Sequence, residues 1–78
     1  MSKYTLVGVD GNAFSVMAYT AKALRREGLS NLIDEMQSKA MSGSYHNCIA
    51  VCDEYINIAN FKAIASGYEE DEETEDEF

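Results

Sequence analysis

The chain has 78 residues and a formal net charge of −8, with 46% hydrophobic residues and no proline or tryptophan. This length allows one small domain, which would bury only about 60% of the surface of its unfolded chain. No apolar run approaches the roughly 20 residues that cross a bilayer. The first residues lack both the basic stretch and the continuous apolar stretch of a secretory signal. We therefore expect a cytoplasmic protein without a membrane partner.

The charge is divided unevenly along the chain. Residues 68–78 hold eight acidic residues and no basic one, whereas the remainder has six residues of each sign. This distribution argues against direct nucleic acid binding, because phosphate contacts need a basic surface. An unidentified protein with a basic surface is the partner that such an acidic segment favours.

Residues 3–9 predict a short N-terminal strand. Their sequence, KYTLVGV, is rich in β-branched and aromatic residues. A lone strand cannot satisfy its own backbone N–H and C=O groups, so it needs a partner. Residues 60–65 are the candidate second strand, although the same residues could prolong the preceding helix. Pairing with a second copy of the chain is the other solution.

Three amphipathic helices are expected after the strand. The first spans residues 13–27, carries apolar residues over a wide surface and stops at Gly28. The second follows Ser30, a good N-cap residue, and the third begins after Ser42 or Ser44. The apolar surface of the first helix exceeds what a body of this size readily covers, which makes a homodimer a further hypothesis.

The expected fold is α+β and mainly α, with one short N-terminal strand followed by three helices. A compact domain is expected over residues 1–66, and a disordered acidic tail over residues 67–78. The tail has no periodicity that could form a core, and its like charges repel one another.

Asp10, Gly11 and Asn12 lie where the predicted strand meets the first helix, and they form a candidate anion or metal site. An acidic residue at a strand end, beside a helix N-terminus, holds a metal or phosphate in many α/β enzymes. The order strand, D-G-N, helix resembles the opening of PIN-type and flap-type nucleases, and this resemblance implies that Asp10 would bind a divalent metal. The structural alternative is that Gly11 permits a tight turn with positive φ while Asp10 or Asn12 caps the helix. Divalent cations need several oxygen ligands, so capping is preferred and no metal or cofactor is expected.

Cys48, Cys52 and His46 are the other chemically reactive residues. The cysteines are four residues apart on one face of a predicted helix, which is a poor geometry for a disulfide. Zinc would need two further ligands. His46 has no nucleophile or orienting carboxylate at a persuasive spacing, since Asp53 is seven residues away. Buried thiols, an exposed or capping histidine and no catalytic residues are expected.

The tail ends in Glu75, Asp76, Glu77 and Phe78, which follow a dense acidic run. This arrangement resembles the C-terminal tips of single-stranded-DNA-binding proteins of bacteria and phages. The resemblance implies that the acidic residues meet a basic surface while the aromatic residue enters a pocket. The rest of the chain lacks the five strands of an OB-fold, so the resemblance is confined to the tail. The other interpretation is a segment that only increases solubility.

The sequence favours a small, non-enzymatic intracellular accessory or regulatory protein that binds another protein through its helical face and acidic tail. A nucleic-acid mimic that inhibits a DNA- or RNA-binding protein is one alternative. A metal-dependent nuclease-like or phosphate-binding fragment using Asp10 is another. The small size, the acidity and the absence of proline would suit a phage or mobile-element accessory factor.

Overall fold

A computed structural model describes residues 3–67, which form a bundle of three α-helices. Helix α1 spans Ala13–Arg26, α2 spans Ile33–Ala40 and α3 spans Tyr45–Ala65, with a short 3-10 helix at Ser30–Leu32 before α2. The mainly helical fold with three helices is therefore confirmed. None of these helices is long and apolar enough to cross a membrane. The predicted disordered tail, residues 67–78, lies outside the described residues apart from Gly67.

The predicted N-terminal strand is wrong. Within the described part of the chain, residues 3–12 contain no strand and run as an irregular segment beside α1 and α3. The side chain of Asn60 replaces the missing strand partner: Tyr4 N donates to Asn60 Oδ1 at 2.8 Å, and Asn60 Nδ2 donates to Tyr4 O at 3.0 Å. The Thr5 N–H donates to the Tyr19 hydroxyl at 3.1 Å. Side chains of two helices thus satisfy backbone groups that a neighbouring strand would otherwise pair.

The candidate second strand, residues 60–65, is the last part of α3. This helix begins where the Ser44 side chain accepts from Asn47 N at 3.2 Å, so Ser44 is the cap among the two predicted candidates, Ser42 and Ser44. It runs without an internal glycine or proline and is followed by Gly67, whose φ is +104°. A homodimer built on strand pairing therefore has no basis in residues 3–67.

The connection between α1 and α2 differs from the expectation in two details. Helix α1 ends one residue earlier than predicted, with Glu27 as its C-cap, and Gly28 has the positive φ of +75° expected of a stop signal. Ser30 makes no capping hydrogen bond and instead begins the 3-10 helix, so its predicted role as the N-cap of the second helix is wrong. The 3-10 helix leads directly into α2, whose start has no side-chain capping hydrogen bond.

The core lies where α1 and α2 pack against α3. Leu24 of α1, Met36 of α2 and Cys52 of α3 are fully buried at the centre. Both cysteines are buried and free, as predicted. Burial raises the pKa of the Cys52 thiol, which disfavours the reactive thiolate. Cys48 and Cys52 are therefore packing residues of the core.

Candidate functional site

Side chains at the junction of Asp10, Gly11 and Asn12 form the hydrogen bonds that cap α1. The Asn12 side chain accepts hydrogen bonds from Phe14 N at 2.8 Å and from Ser15 N at 3.4 Å. Asp10 Oδ1 in turn accepts from Asn12 N at 3.1 Å. These bonds satisfy amides that the first turn of a helix otherwise leaves open to an anion. The geometry supports the capping interpretation of this junction.

Gly11 does not have the positive φ expected for it. The positive φ of this segment, +87°, is at Gly8, inside a turn that Val9 N closes by donating to Leu6 O at 3.1 Å. The Gly11 carbonyl accepts a hydrogen bond from the Tyr45 hydroxyl. The junction is therefore tied to the first residue of α3.

The described residues give no support to a metal centre. Residues 3–67 contain no group of three or more His, Cys, Asp or Glu side chains placed to hold a metal ion. A hard divalent cation takes six or more oxygen ligands, of which the protein supplies several. Asp10 has no such companions in this part of the chain, so the nuclease-like alternative gains no support from it.

An open apolar groove lies between the N-terminal segment, α1 and α3, with a volume of about 670 Å³. Its walls include apolar side chains of all three elements, namely Leu6, Val9, Val16, Ile49 and Ala50. This volume lies within the range of roughly 300–1,000 Å³ that is usual for ligand pockets. We call this feature the apolar groove. The irregular N-terminal segment forms one of its walls through Leu6, Val9 and Gly11.

The polar side chains of the apolar groove come from one face of α3. Tyr45, His46 and Asp53 line it together with Ile49, at helical spacings of three and four residues. His46 and Asp53 therefore share one surface, two turns apart. Among the described residues that line the groove there is no serine, threonine or cysteine to act as a nucleophile. The arrangement can accommodate an apolar group next to the carboxylate of Asp53.

A second, smaller hollow of about 280 Å³ adjoins the groove and shares Tyr45 with it. Phe14 and Met41 border this hollow and are exposed by 71% and 65%. Tyr45, between the two hollows, is exposed by 51%. Aromatic and methionine side chains are enriched at protein interaction surfaces. The sequence signal for this surface was weak, since Phe14 and Tyr45 fit the apolar stripes of their helices.

A buried carboxylate holds the N-terminal segment in place. Glu27 is only 7% exposed, and its Oε2 accepts from the Tyr4 hydroxyl at 2.5 Å and from Lys3 Nζ at 2.9 Å. Lys62 Nζ of α3 donates to the Glu27 main-chain oxygen at 2.9 Å. The hydrogen bond from Tyr4, followed by that from Lys3, lowers the pKa of the Glu27 carboxyl. No pattern in the sequence predicted this cluster, because Glu27 is 23 to 35 residues away from its partners along the chain.

Asn12→Ala is expected to lower the free energy of unfolding by about 1 kcal/mol, because it removes the acceptor that caps α1. Urea denaturation followed by circular dichroism measures this loss. The matched control is Asp10→Asn, which keeps a side-chain oxygen for the Asn12 N–H and should change stability by less than about 0.5 kcal/mol. A larger loss in Asp10→Asn than in Asn12→Ala would contradict the capping interpretation.

The four tail residues predicted to bind a partner, Glu75, Asp76, Glu77 and Phe78, lie outside the described residues. Their role stays a prediction. No protein-family model, curated protein or solved structure matches the chain.

Proposed function

We propose that the protein is a small, non-enzymatic accessory protein that binds a basic, amphipathic segment of another protein. The observation that carries this proposal is the apolar groove, where Leu6, Val9 and Ile49 provide apolar walls. Such a groove takes aliphatic or aromatic anchor side chains from a helix or an extended segment. The adjoining exposed residues Phe14 and Met41 extend the apolar contact area.

Charge favours a partner segment whose apolar anchors are flanked by lysine or arginine. Asp53 lines the apolar groove, and Asp10 stands in the sequence between two lining residues, Val9 and Gly11. The eight acidic residues of the tail belong to the same chain. Acidic groups around an apolar site attract a basic segment and accelerate its association in a salt-dependent way.

A designed peptide of leucine and lysine tests the proposal and can be used before the natural partner is identified. The peptide has about 15 residues, with leucines on one helical face and lysines on the other, so that it can form a helix. Titration followed by amide NMR shifts and calorimetry should place the peptide at Leu6, Ile49 and Asp53. A peptide with serine in place of every leucine should bind at least about tenfold more weakly, because the apolar anchors are lost.

Ala50→Arg is the variant expected to block the apolar groove. Ala50 is exposed on α3 and lines the groove, so a long basic side chain there fills space and repels lysine without disturbing the core. We expect at least about a tenfold loss of affinity for the leucine–lysine peptide. The matched control is Ala18→Arg, at an exposed position of α1 outside this groove. Equal affinities of the two variants would contradict binding in the groove and would show that the peptide binds through charge attraction only.

A further inference from the structure

Five of the six basic residues of the chain lie in the C-terminal part of α1 or contact it. We call them the basic cluster: Lys3, Lys22, Arg25, Arg26 and Lys62. Three of them, Lys3, Lys22 and Arg26, border one hollow of about 130 Å³. Lys3 and Lys62 both donate hydrogen bonds to Glu27, which directly follows the last turn of α1. Residues from the beginning and the end of the described part of the chain thus meet here.

Much of the positive charge of the basic cluster lacks a carboxylate in the described part of the chain. Lys3 Nζ lies 2.9 Å from Glu27 Oε2. The side chains of Lys22, Arg25 and Arg26 are exposed, and within residues 3–67 none of them forms an ion pair. Neighbouring cations repel one another, so an anionic group placed beside them lowers the electrostatic free energy.

The described part of the chain ends close to this cluster. Lys62 lies in the last two turns of α3, which ends at Ala65, and residue 68 follows Gly67. Residues 68–78 can span roughly 35 Å when extended, since each residue adds at most about 3.5 Å. This exceeds the length of α1, roughly 20 Å at 1.5 Å per residue. The whole basic cluster is therefore within reach of the segment's eight acidic residues.

We propose that residues 68–78 dock in cis on the basic cluster of the same molecule. Tethering next to the cluster gives the segment an effective concentration of about millimolar, without any partner. A basic partner must then compete with the basic cluster for the acidic residues. The cis contact therefore raises the affinity that a basic partner needs in order to bind the acidic residues. The cis contact itself does not depend on the proposed function of the apolar groove.

Carbodiimide cross-linking of the full chain tests the cis contact, because this reagent joins a lysine amine directly to a carboxylate that touches it. Lys22, in the cluster, is the test residue, and Lys39, on α2, is the control. Their cross-links to residues 69–77 are counted by mass spectrometry and normalised to the labelling of each lysine by a small acylating reagent. An equal mixture of ¹⁵N-labelled and unlabelled protein separates links within one molecule from links between two.

At low salt, we expect Lys22 to be linked to the acidic segment at least about fivefold more than Lys39, within single molecules. The excess should disappear at about 1 M NaCl, where the screening length is about 3 Å. Arg25→Glu combined with Arg26→Glu should also remove it, while circular dichroism reports whether the helices persist. Similar linking of Lys22 and Lys39 at low salt, or links mainly between differently labelled molecules, would overturn the cis contact. Neither result would alter the peptide-binding test of the apolar groove.

Discussion

Asn60→Ala is expected to lower the free energy of unfolding by about 2–3 kcal/mol, because it leaves two half-buried backbone groups of Tyr4 without partners. The Asn60 amide donates to Tyr4 O and accepts from Tyr4 N in the native protein. A domain of this size has a total stability of about 5 kcal/mol or somewhat more, so the loss is a large fraction of it. Urea denaturation measures the loss, and faster hydrogen exchange of the Tyr4 amide locates it.

Asn57→Ala is the matched control for this substitution. Asn57 lies one turn before Asn60 on the same helix and is exposed. Both changes replace asparagine by alanine in a helix, so both gain the same helix propensity of roughly 0.5 kcal/mol. The difference in free energy of unfolding between the two variants then measures the contribution of the hydrogen bonds between Asn60 and Tyr4. If both variants have the same stability, the N-terminal segment is not held by Asn60.

Glu27→Gln is expected to remove a pH-dependent part of the stability. The hydrogen bonds from Tyr4 and Lys3 keep the pKa of Glu27 in the folded protein below its ordinary value of 4.5. A carboxyl whose pKa is lowered on folding stabilises the native state at pH values above its unfolded pKa. That contribution is lost as the pH falls through the folded pKa. The stability difference between wild type and Glu27→Gln should therefore be largest near pH 7 and shrink as the pH falls below 4.5.

Glu54→Gln controls for the loss of one negative charge, since Glu54 is exposed on α3. The eight acidic residues of the tail titrate in the wild type and in both variants, so their contribution cancels in the comparison. Between pH 3 and 7, roughly the range over which carboxyl groups titrate, the pH-dependent loss of stability relative to wild type should be larger for Glu27→Gln than for Glu54→Gln. A constant difference between Glu27→Gln and wild type over this range would show that Glu27 ionisation does not stabilise the fold.

Much of the helical architecture was predictable because its signals are local. Asn12 and Ser44 are capping residues next to regular apolar patterns, and Gly28 follows a basic last turn of a helix. Each of these signals depends on a few neighbouring residues, and the structure agrees with all three. The buried state of Cys48 and Cys52 followed from their position on the apolar face of one helix.

The N-terminal segment could not be predicted from local signals. The β-branched and aromatic residues from Lys3 to Val9 favour a strand, but strand propensity is expressed only when a second strand is present. Here the helix of residues 45–65 offers a side-chain amide, Asn60, at the place where a partner strand would lie. This use of a side-chain amide in place of a partner strand depends on a contact between residues 56 positions apart, which no local pattern encodes.

The three helices, most of their caps and the concentration of acidic residues in the last part of the chain are all specified by the amino-acid sequence alone. These features follow from composition, from periodicity and from the conformational preferences of neighbouring residues. Packing in three dimensions was needed to establish that Glu27 is buried between Tyr4 and Lys3, that an apolar groove opens beside α3, and that Lys3 and Lys62 meet near Arg26. A composition count treats the body as neutral, whereas packing gathers most of its positive charge around the C-terminal part of α1, because long-range side-chain contacts exist only in the assembled bundle.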